Sequence, residues 1–313
     1  MDILLRARFA GCCVGLCMMG LTSSMASAID AVDYERQTLE VRREASEYAA
    51  GPTGYYAIQD VSEMQPGQSA FLTADEQLDA VHWSQQPIQQ FIARVDYNDG
   101  HAILSGPGLQ TIDLLQVPGR PATLPDGLTV NASFLRKTTT LRARVYNPRL
   151  PALKHFKSLD FFPYRDSGVV PGEFHRYETP RAVTFLDSRD KEGVTYEVGS
   201  VTLLIDGKSY DVSAYSIADH WADIDMLSLM FKDQTSGKTT YGGGRLVDVS
   251  FPKGAPPKTM RVNLNVAYSF SCAYSSFYSC PLVLAKPLPV KLEYGEKYPP
   301  LKHCASPAEK ATC

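Results

Sequence analysis

The chain has 313 residues, enough for one large or two medium domains. Its 44% hydrophobic and 21% charged content is that of an ordinary globular protein, which sets aside disordered and fibrous classes. A formal net charge of −3, with no Lys/Arg run, offers none of the basic face that a nucleic-acid partner requires.

The N-terminus reads as an export signal. Arg6 and Arg8 precede an uncharged apolar run, Phe9–Leu21, and Ala26-Ser27-Ala28 follows as an A-x-A cleavage motif. The run is shorter than the ~20 residues that span a bilayer. The expectation is a signal peptide, residues 1–28, cut after Ala28, with no stable membrane span afterwards and a periplasmic or secreted mature chain. The competing reading is a retained transmembrane anchor. Export in turn sets the reading of the cysteines. Cys12, Cys13 and Cys17 fall in the signal, leaving Cys272, Cys280, Cys304 and Cys313. An even number in an oxidising compartment points to disulfides. Three pairings exist; Cys272–Cys280 and Cys304–Cys313 each close a short local loop and are preferred. The alternative gives Cys272 or Cys280 a catalytic or metal-binding thiol.

Asp33–Ala50 is the clearest helix, since no Pro or Gly interrupts it before Gly51. Its Glu and Arg residues read as a solvated face with i,i+4 pairing, and Tyr34, Leu39, Val41 and Tyr48 as its docking residues. From Tyr55 to Val145 short strands alternate with turns: Tyr55–Ile58, Ala70–Thr73, Phe91–Tyr97, Ala102–Leu104, Ile112–Val117, Leu128–Val130 and Thr140–Tyr146. Asn98-Asp99-Gly100 is a hairpin signal. The Pro-rich stretch Asn147–Pro163 shifts the composition and marks a domain boundary near Leu150. Strands then resume at Ala182–Asp187, Gly199–Ile205, Tyr210–Ile217, Asp225–Phe231, Thr239–Phe251, Arg261–Phe270 and Pro289–Tyr294. Asp206-Gly207-Lys208 joins two of them as a hairpin, and Ala218–Ile224 reads equally as a short helix or a loop. The expected fold is mostly β: two β-rich, sandwich- or barrel-like domains with one N-terminal helix, at residues 29–150 and 151–298, then a Cys-containing tail at 299–313.

Phe231–Arg245 is the stretch that looks like a site. Gln234-Thr-Ser-Gly237 supplies turn chemistry, with Gly237 free to take a positive φ. Gly242, Gly243 and Gly244 remove three consecutive Cβ atoms, so either the chain bulges there or a ligand meets bare backbone. Asp233, Ser236, Tyr241 and Arg245 converge on the same segment and are the catalytic candidates. Gly242–Gly244 and Arg245 are the ligand-binding candidates, Arg245 as a bidentate anion anchor. The glycines fit neither a Walker loop nor a dinucleotide loop. Ser236 lacks the Gly-x-Ser-x-Gly elbow and suits a turn. Asp219, His220, Asp223 and Asp225 cluster, yet match no zinc or calcium template, and read as a solvated loop.

Phe231-Lys-Asp233-Gln-Thr235-Ser236-Gly237-Lys-Thr-Thr240-Tyr241-Gly242-Gly-Gly244-Arg245 resembles the hallmark segment of a bacterial family known as domain-of-unknown-function family 1684. Cys272-Ala273-Tyr274, Cys280-Pro281-Leu282 and Gly295-Glu296-Lys297 are similar to its later segments. The resemblance runs from about Asn147 to Lys297. It implies a forkhead-associated type β-sandwich for the N-terminal half and supplies no activity. The chain departs from the family at Asn263-Leu264-Asn265, at Ser269-Phe270-Ser271 and at Val283–Lys286, where polar residues available for chemistry are absent.

The function expected is a periplasmic or secreted binding or structural protein with its site at the Asp233–Arg245 hairpin, meeting an unknown small molecule or envelope component. The alternative is a hydrolase of envelope material, with Asp233 as general acid or base and Tyr241 and Arg245 stabilising negative charge. A third reading makes the motif a structural pin. No cofactor and no metal are expected.

Overall fold

The computed structural model describes residues 23–75, 80–116, 121–135, 138–186, 192–278, 280 and 286–300, with side chains from Tyr34 onward. The signal features Arg6 to Leu21, the expected strand ends at Val117 and Asp187, the Pro281–Ala285 segment, and Cys304 and Cys313 lie outside the described residues. No helix among the described residues is long and apolar enough to cross a membrane.

The chain is mostly β, with one long helix near its start, α1 (Ser23–Ala50). That helix begins ten residues before the expected Asp33, because no Pro or Gly lies between Ser23 and Gly51. Among the described residues nine strands follow: β1 (Ile58–Met64), β2 (Gln68–Asp75), β3 (Ala80–Ser84), β4 (Ala93–Asn98), β5 (His101–Ser105), β6 (Ile112–Asp113), β7 (Ala122–Thr123), β8 (Thr129–Phe134) and β9 (Leu141–Tyr146). They form a four-stranded sheet, β1-β9-β8-β7, and a five-stranded sheet, β3-β2-β4-β5-β6. Both contribute to one core, which includes Met64, Leu72, Val95, Leu104, Val130 and Val145. This is the sandwich that alternation and close turn spacing predict. Asn98-Asp99-Gly100 turns β4 into β5 with φ of 48° and 79° at Asp99 and Gly100, a type I′ geometry. Asp60 fastens the two sheets: its carboxylate accepts from the Trp83 backbone N–H at 2.6 Å and from that of Val61 at 2.8 Å.

A short helix, α2 (Pro151–His155), leads into the second half. Its strands are β10 (Val169–Leu186), β11 (Glu192–Ile205), β12 (Lys208–Ser216), β13 (Met226–Phe231), β14 (Arg245–Ser250), β15 (Thr259–Asn263) and β16 (Tyr268–Ser269). They form one antiparallel sheet in the order β15-β10-β11-β12-β13-β14-β16. β10 starts at Val169, well before the expected Ala182, despite Pro171 and Gly172. Pro171 is tolerated because it pairs only towards β15, opposite Arg261, and lies beyond the last residue of β10 that β11 reaches. Phe174, Val201, Leu203, Leu227, Leu229 and Val247 make the core of this half. Its cover is not a second sheet: Leu264, Ala267, Leu292 and Tyr294 close it from a 3₁₀ turn and an irregular segment. The strand expected at Pro289–Tyr294 is therefore absent as a sheet member. Ala218–Ile224 resolves into a 3₁₀ turn at Trp221–Asp223.

α1 docks on this second half. The Arg42 guanidinium donates to the Asn265 carbonyl at 2.9 and 3.2 Å and lies over the Phe161 ring. Asn263 Nδ2 donates to Thr38 Oγ1 at 2.8 Å, and the Leu159 N–H donates to Ser46 Oγ at 3.2 Å. The docking stripe is thus Thr38, Arg42, Ser46 and Ala49, which recur at helical spacing. Leu39 and Val41, expected to dock, are 54% and 42% exposed. Arg43, pairing with Glu40 and Glu47, bears out the solvated charged face.

Candidate functional site

Phe231 closes β13 and Arg245 opens β14, and the two face each other across the ladder. Between them the chain is a compact loop, and Arg245–Ser250 alone forms the strand expected over Thr239–Phe251. Thr235 organises the loop. Its carbonyl accepts the backbone N–H groups of Lys238, Thr239 and Thr240 at 3.0, 3.1 and 3.2 Å. Gly237 turns the chain with φ of 77°, as its position predicts.

Two of the three glycines are required by packing. A Cβ on Gly243 would meet the Tyr241 ring at 2.4 Å. Gly244 has φ of 102°, and a Cβ there would meet the Phe231 carbonyl oxygen at 2.7 Å. Only Gly242 is exposed, with a Cβ position in ordinary contact, 3.5 Å from Gly237 Cα. Bare backbone here lets Tyr241 fold down and the chain re-enter the sheet.

Asp233 and Arg245 meet in the interior. Their side chains are 0% and 1% exposed and lie 3.1 Å apart. One Asp233 oxygen accepts from Thr235 N at 3.0 Å, Thr235 Oγ1 at 2.6 Å and Ser236 Oγ at 3.3 Å. The other accepts from Arg245 and from Leu292 N at 2.9 Å. Arg245 also donates to the carbonyls of Leu292 at 2.9 Å, Glu296 at 3.4 Å and Tyr294. Its guanidinium lies over the Phe231 ring, 5.4 Å from the centroid. Burial pulls Arg245 below the usual guanidinium range, while Asp233 and Glu296 oppose that pull. The anion anchor expected at Arg245 is committed to internal partners, and the acid expected at Asp233 is away from solvent.

The object of these contacts is the segment Leu288–Tyr298, which crosses the motif without joining the sheet. Leu288 N donates to Lys232 O at 2.8 Å, Gln234 N to Val290 O at 3.0 Å, and Tyr298 N to Thr239 O at 2.9 Å. Glu296 ends up fully buried, accepting from Ser269 N at 3.0 Å and Tyr274 Oη at 2.5 Å. Burial raises its carboxyl from 4.5 to about 7, against the pull of Tyr274, Ser269 N–H and Arg245. Glu296, Ser269 and Tyr274 were not site candidates from the sequence. One signal was available: counting by two from the apolar Val247 puts Arg245 on the inward side of its strand.

Tyr241 points to the opposite face, where its hydroxyl reaches Cys272 Sγ at 3.6 Å. Cys272 and Cys280 stand as thiols in contact with each other, and Cys272 N donates to Cys280 Sγ at 3.1 Å. Burial pushes the Cys280 thiol well up, and the contact with Cys272 adds to this. That is the reverse of the depressed pKa of a nucleophilic thiol. On the same face Asp248 accepts from Tyr268 Oη at 2.6 Å and Ser228 Oγ at 2.7 Å, and burial raises its carboxyl. Among the described residues no three His, Cys, Asp or Glu side chains are grouped to hold a metal ion. His220 shares a hydrogen bond with Asp219 at 2.8 Å, and Asp223 pairs with Lys253 at 3.0 Å. A groove of about 590 Å³ lies between α1 and residues 156–161; its lining residues Phe156, Leu159 and Phe161 belong to the same apolar cluster as Tyr241.

Residues 154–297 match the model of a family described as "Protein of unknown function (DUF1684)". That span contains the whole motif loop, both described cysteines and Glu296, and it supports the family for this part of the chain. No curated protein matches the chain significantly. The chain is similar to the solution structure of the uncharacterized protein from gene locus rrnAC0354 of Haloarcula marismortui. That similarity has 27% identity, 48% of this chain and 82% of the other covered, and a TM-score of 0.40.

Proposed function

We infer that the chain is an exported β-rich protein of binding or structural character, whose motif fastens its own C-terminal segment and performs no reaction. The observation that carries this is the buried Asp233–Arg245 pair, with Arg245 donating to three carbonyls of residues 292–296. A hydrolase would need that acid and that guanidinium to reach a substrate, and neither reaches solvent. The exposed residues of the motif are Gln234, Gly237, Lys238, Thr239 and Gly242, and the part-buried Tyr241 stands edge-on to the half-exposed Tyr298 at 6.1 Å beside them. A ligand would meet the motif at that aromatic edge.

Support for export comes from Arg6, Arg8, Phe9–Leu21 and Ala26-Ser27-Ala28. In an oxidising compartment the Cys272 and Cys280 thiols, which folding buries side by side, exchange with a protein disulfide before the fold closes over them. One S–S bond forms here, and the partner's disulfide becomes two thiols. Cell fractionation with N-terminal sequencing and intact mass tests the reading. A released chain that begins at Ile29 and gains two hydrogens per disulfide on reduction is expected. A chain retained in the cytosol with Met1 in place removes export, and with it the basis for the disulfide.

A further inference from the structure

Beside the Asp233–Arg245 pair, three interior polar atoms have no hydrogen-bond partner within the described protein: Arg245 Nε, Ser269 Oγ and Glu296 Oε1. Their residues are 1%, 1% and 0% exposed. Buried polar groups are almost always bonded, and three exceptions at random sites would be unremarkable only if scattered. These are not scattered. Arg245 and Ser269 are direct partners across the β14–β16 ladder, so their side chains leave the sheet on the same face. The Ser269 backbone N–H donates to the other Glu296 oxygen at 3.0 Å. Glu296 and Arg245 also meet through the Glu296 carbonyl at 3.4 Å.

We propose that Arg245 Nε, Ser269 Oγ and Glu296 Oε1 together form a binding site for a single internal water molecule. The chemistry of the three atoms selects such a guest. Arg245 Nε–H only donates, the Glu296 carboxylate oxygen accepts, and the Ser269 hydroxyl does either. A water accepts from the first, donates to the second and uses the third in whichever sense remains, so all three are satisfied at once. A cation is opposed by the guanidinium, and an anion finds only one N–H donor beside a carboxyl oxygen that repels it. The water joins the clamp to Glu296, so that Asp233, Arg245, water, Glu296 and Tyr274 become one bonded chain. This goes beyond the clamp reading, which stands on the Asp233–Arg245 contacts alone.

A high-resolution crystal structure of the full chain, with a parallel crystal soaked in bromide, tests the site directly. A solvent peak within hydrogen-bond distance of all three atoms, without anomalous signal, is expected. An anomalous peak there makes it a halide site and overturns the proposal. So does direct contact of Arg245 Nε with Glu296 Oε1, or the absence of any peak. In solution, Ser269→Ala leaves room for the water, whereas Ser269→Val fills it with methyl groups. Ser269→Val is expected to lower the urea midpoint further than Ser269→Ala. The reverse order overturns the proposal, and if Ser269→Val does not fold, the crystallographic result decides.

Discussion

Asp233→Asn keeps the shape of the side chain and removes its charge. The two Asp233 oxygens receive five donors: Thr235 N, Thr235 Oγ1 and Ser236 Oγ on one, Arg245 Nη2 and Leu292 N on the other. An asparagine has one acceptor oxygen. Either orientation of its amide therefore sets an NH2 group against at least two donors. Arg245 meanwhile loses its charge partner at 1% exposure. Removing one member of a buried ion pair costs about 3–5 kcal/mol, against a total stability on the order of 5–15 kcal/mol. Urea unfolding followed by circular dichroism at pH 7 reads the loss, with Arg245→Met and the double variant completing a cycle. The double variant is expected to be less destabilised than the sum of the singles, yet not to recover. The carbonyls of Leu292, Tyr294 and Glu296 still lose their donor. An Asp233→Asn protein within about 1 kcal/mol of wild type would refute the clamp, since surface substitutions change stability by no more than that.

Glu296 carries a pH dependence. Its carboxyl is raised from 4.5 to about 7, so its contribution is fully present below pH 4.5 and is lost as pH rises through about 7. At roughly 1.4 kcal/mol per pH unit this is about 3 kcal/mol, seen as a wild-type stability that declines relative to Glu296→Gln over that window; parallel curves would sink it. Gly244→Ala is expected to lose about 1–3 kcal/mol from its φ of 102° and its 2.7 Å approach to the Phe231 carbonyl, while Gly242→Ala stays within about 0.5 kcal/mol; equal thermal shifts for both would contradict this. Arg42→Ala removes two charged hydrogen bonds to the Asn265 carbonyl, worth about 1.5–3 kcal/mol each. Faster amide exchange confined to α1 is expected, and a uniform acceleration across the sheets would speak against local docking.

The fold class was legible because its signals are local. Alternating apolar residues and the turns Asn98-Asp99-Gly100 and Asp206-Gly207-Lys208 act within a few positions, and the positive φ values at Asp99, Gly100, Asp206 and Gly207 are what those residue types permit. Elements that rely on distant partners were harder. By sequence alone the first strand ends at Ile58, because Gln59–Glu63 is mostly polar and gains its place through the ladder to β9. The docking face of α1 differs from the expected one for the same reason. Leu39 and Val41 are the apolar residues, but the surface it meets presents the Asn265 carbonyl and Asn263 amide, which select Arg42 and Thr38. At the motif, the residues that matter were recognised as a group. Their orientation was not, since it depends on Leu292, 47 positions beyond Arg245 and 59 beyond Asp233.

The reason for so polar an interior lies in the segment it holds. Leu288–Tyr298 covers the core with Leu292 and Tyr294 but has no strand beside it to take its peptide groups. Buried N–H and C=O groups need partners wherever they occur, so side chains and loop carbonyls must supply what a ladder otherwise would. A carboxylate accepts several N–H groups, and a guanidinium presents five donors in a rigid fork that reaches successive carbonyls. Asp233 and Arg245 supply one of each. Their charges cancel in the interior, and each holds the other in the geometry the segment requires. The motif's glycines and Thr235 turn bring those two side chains inward together. The polar chemistry of the loop is thus addressed to the chain's own backbone.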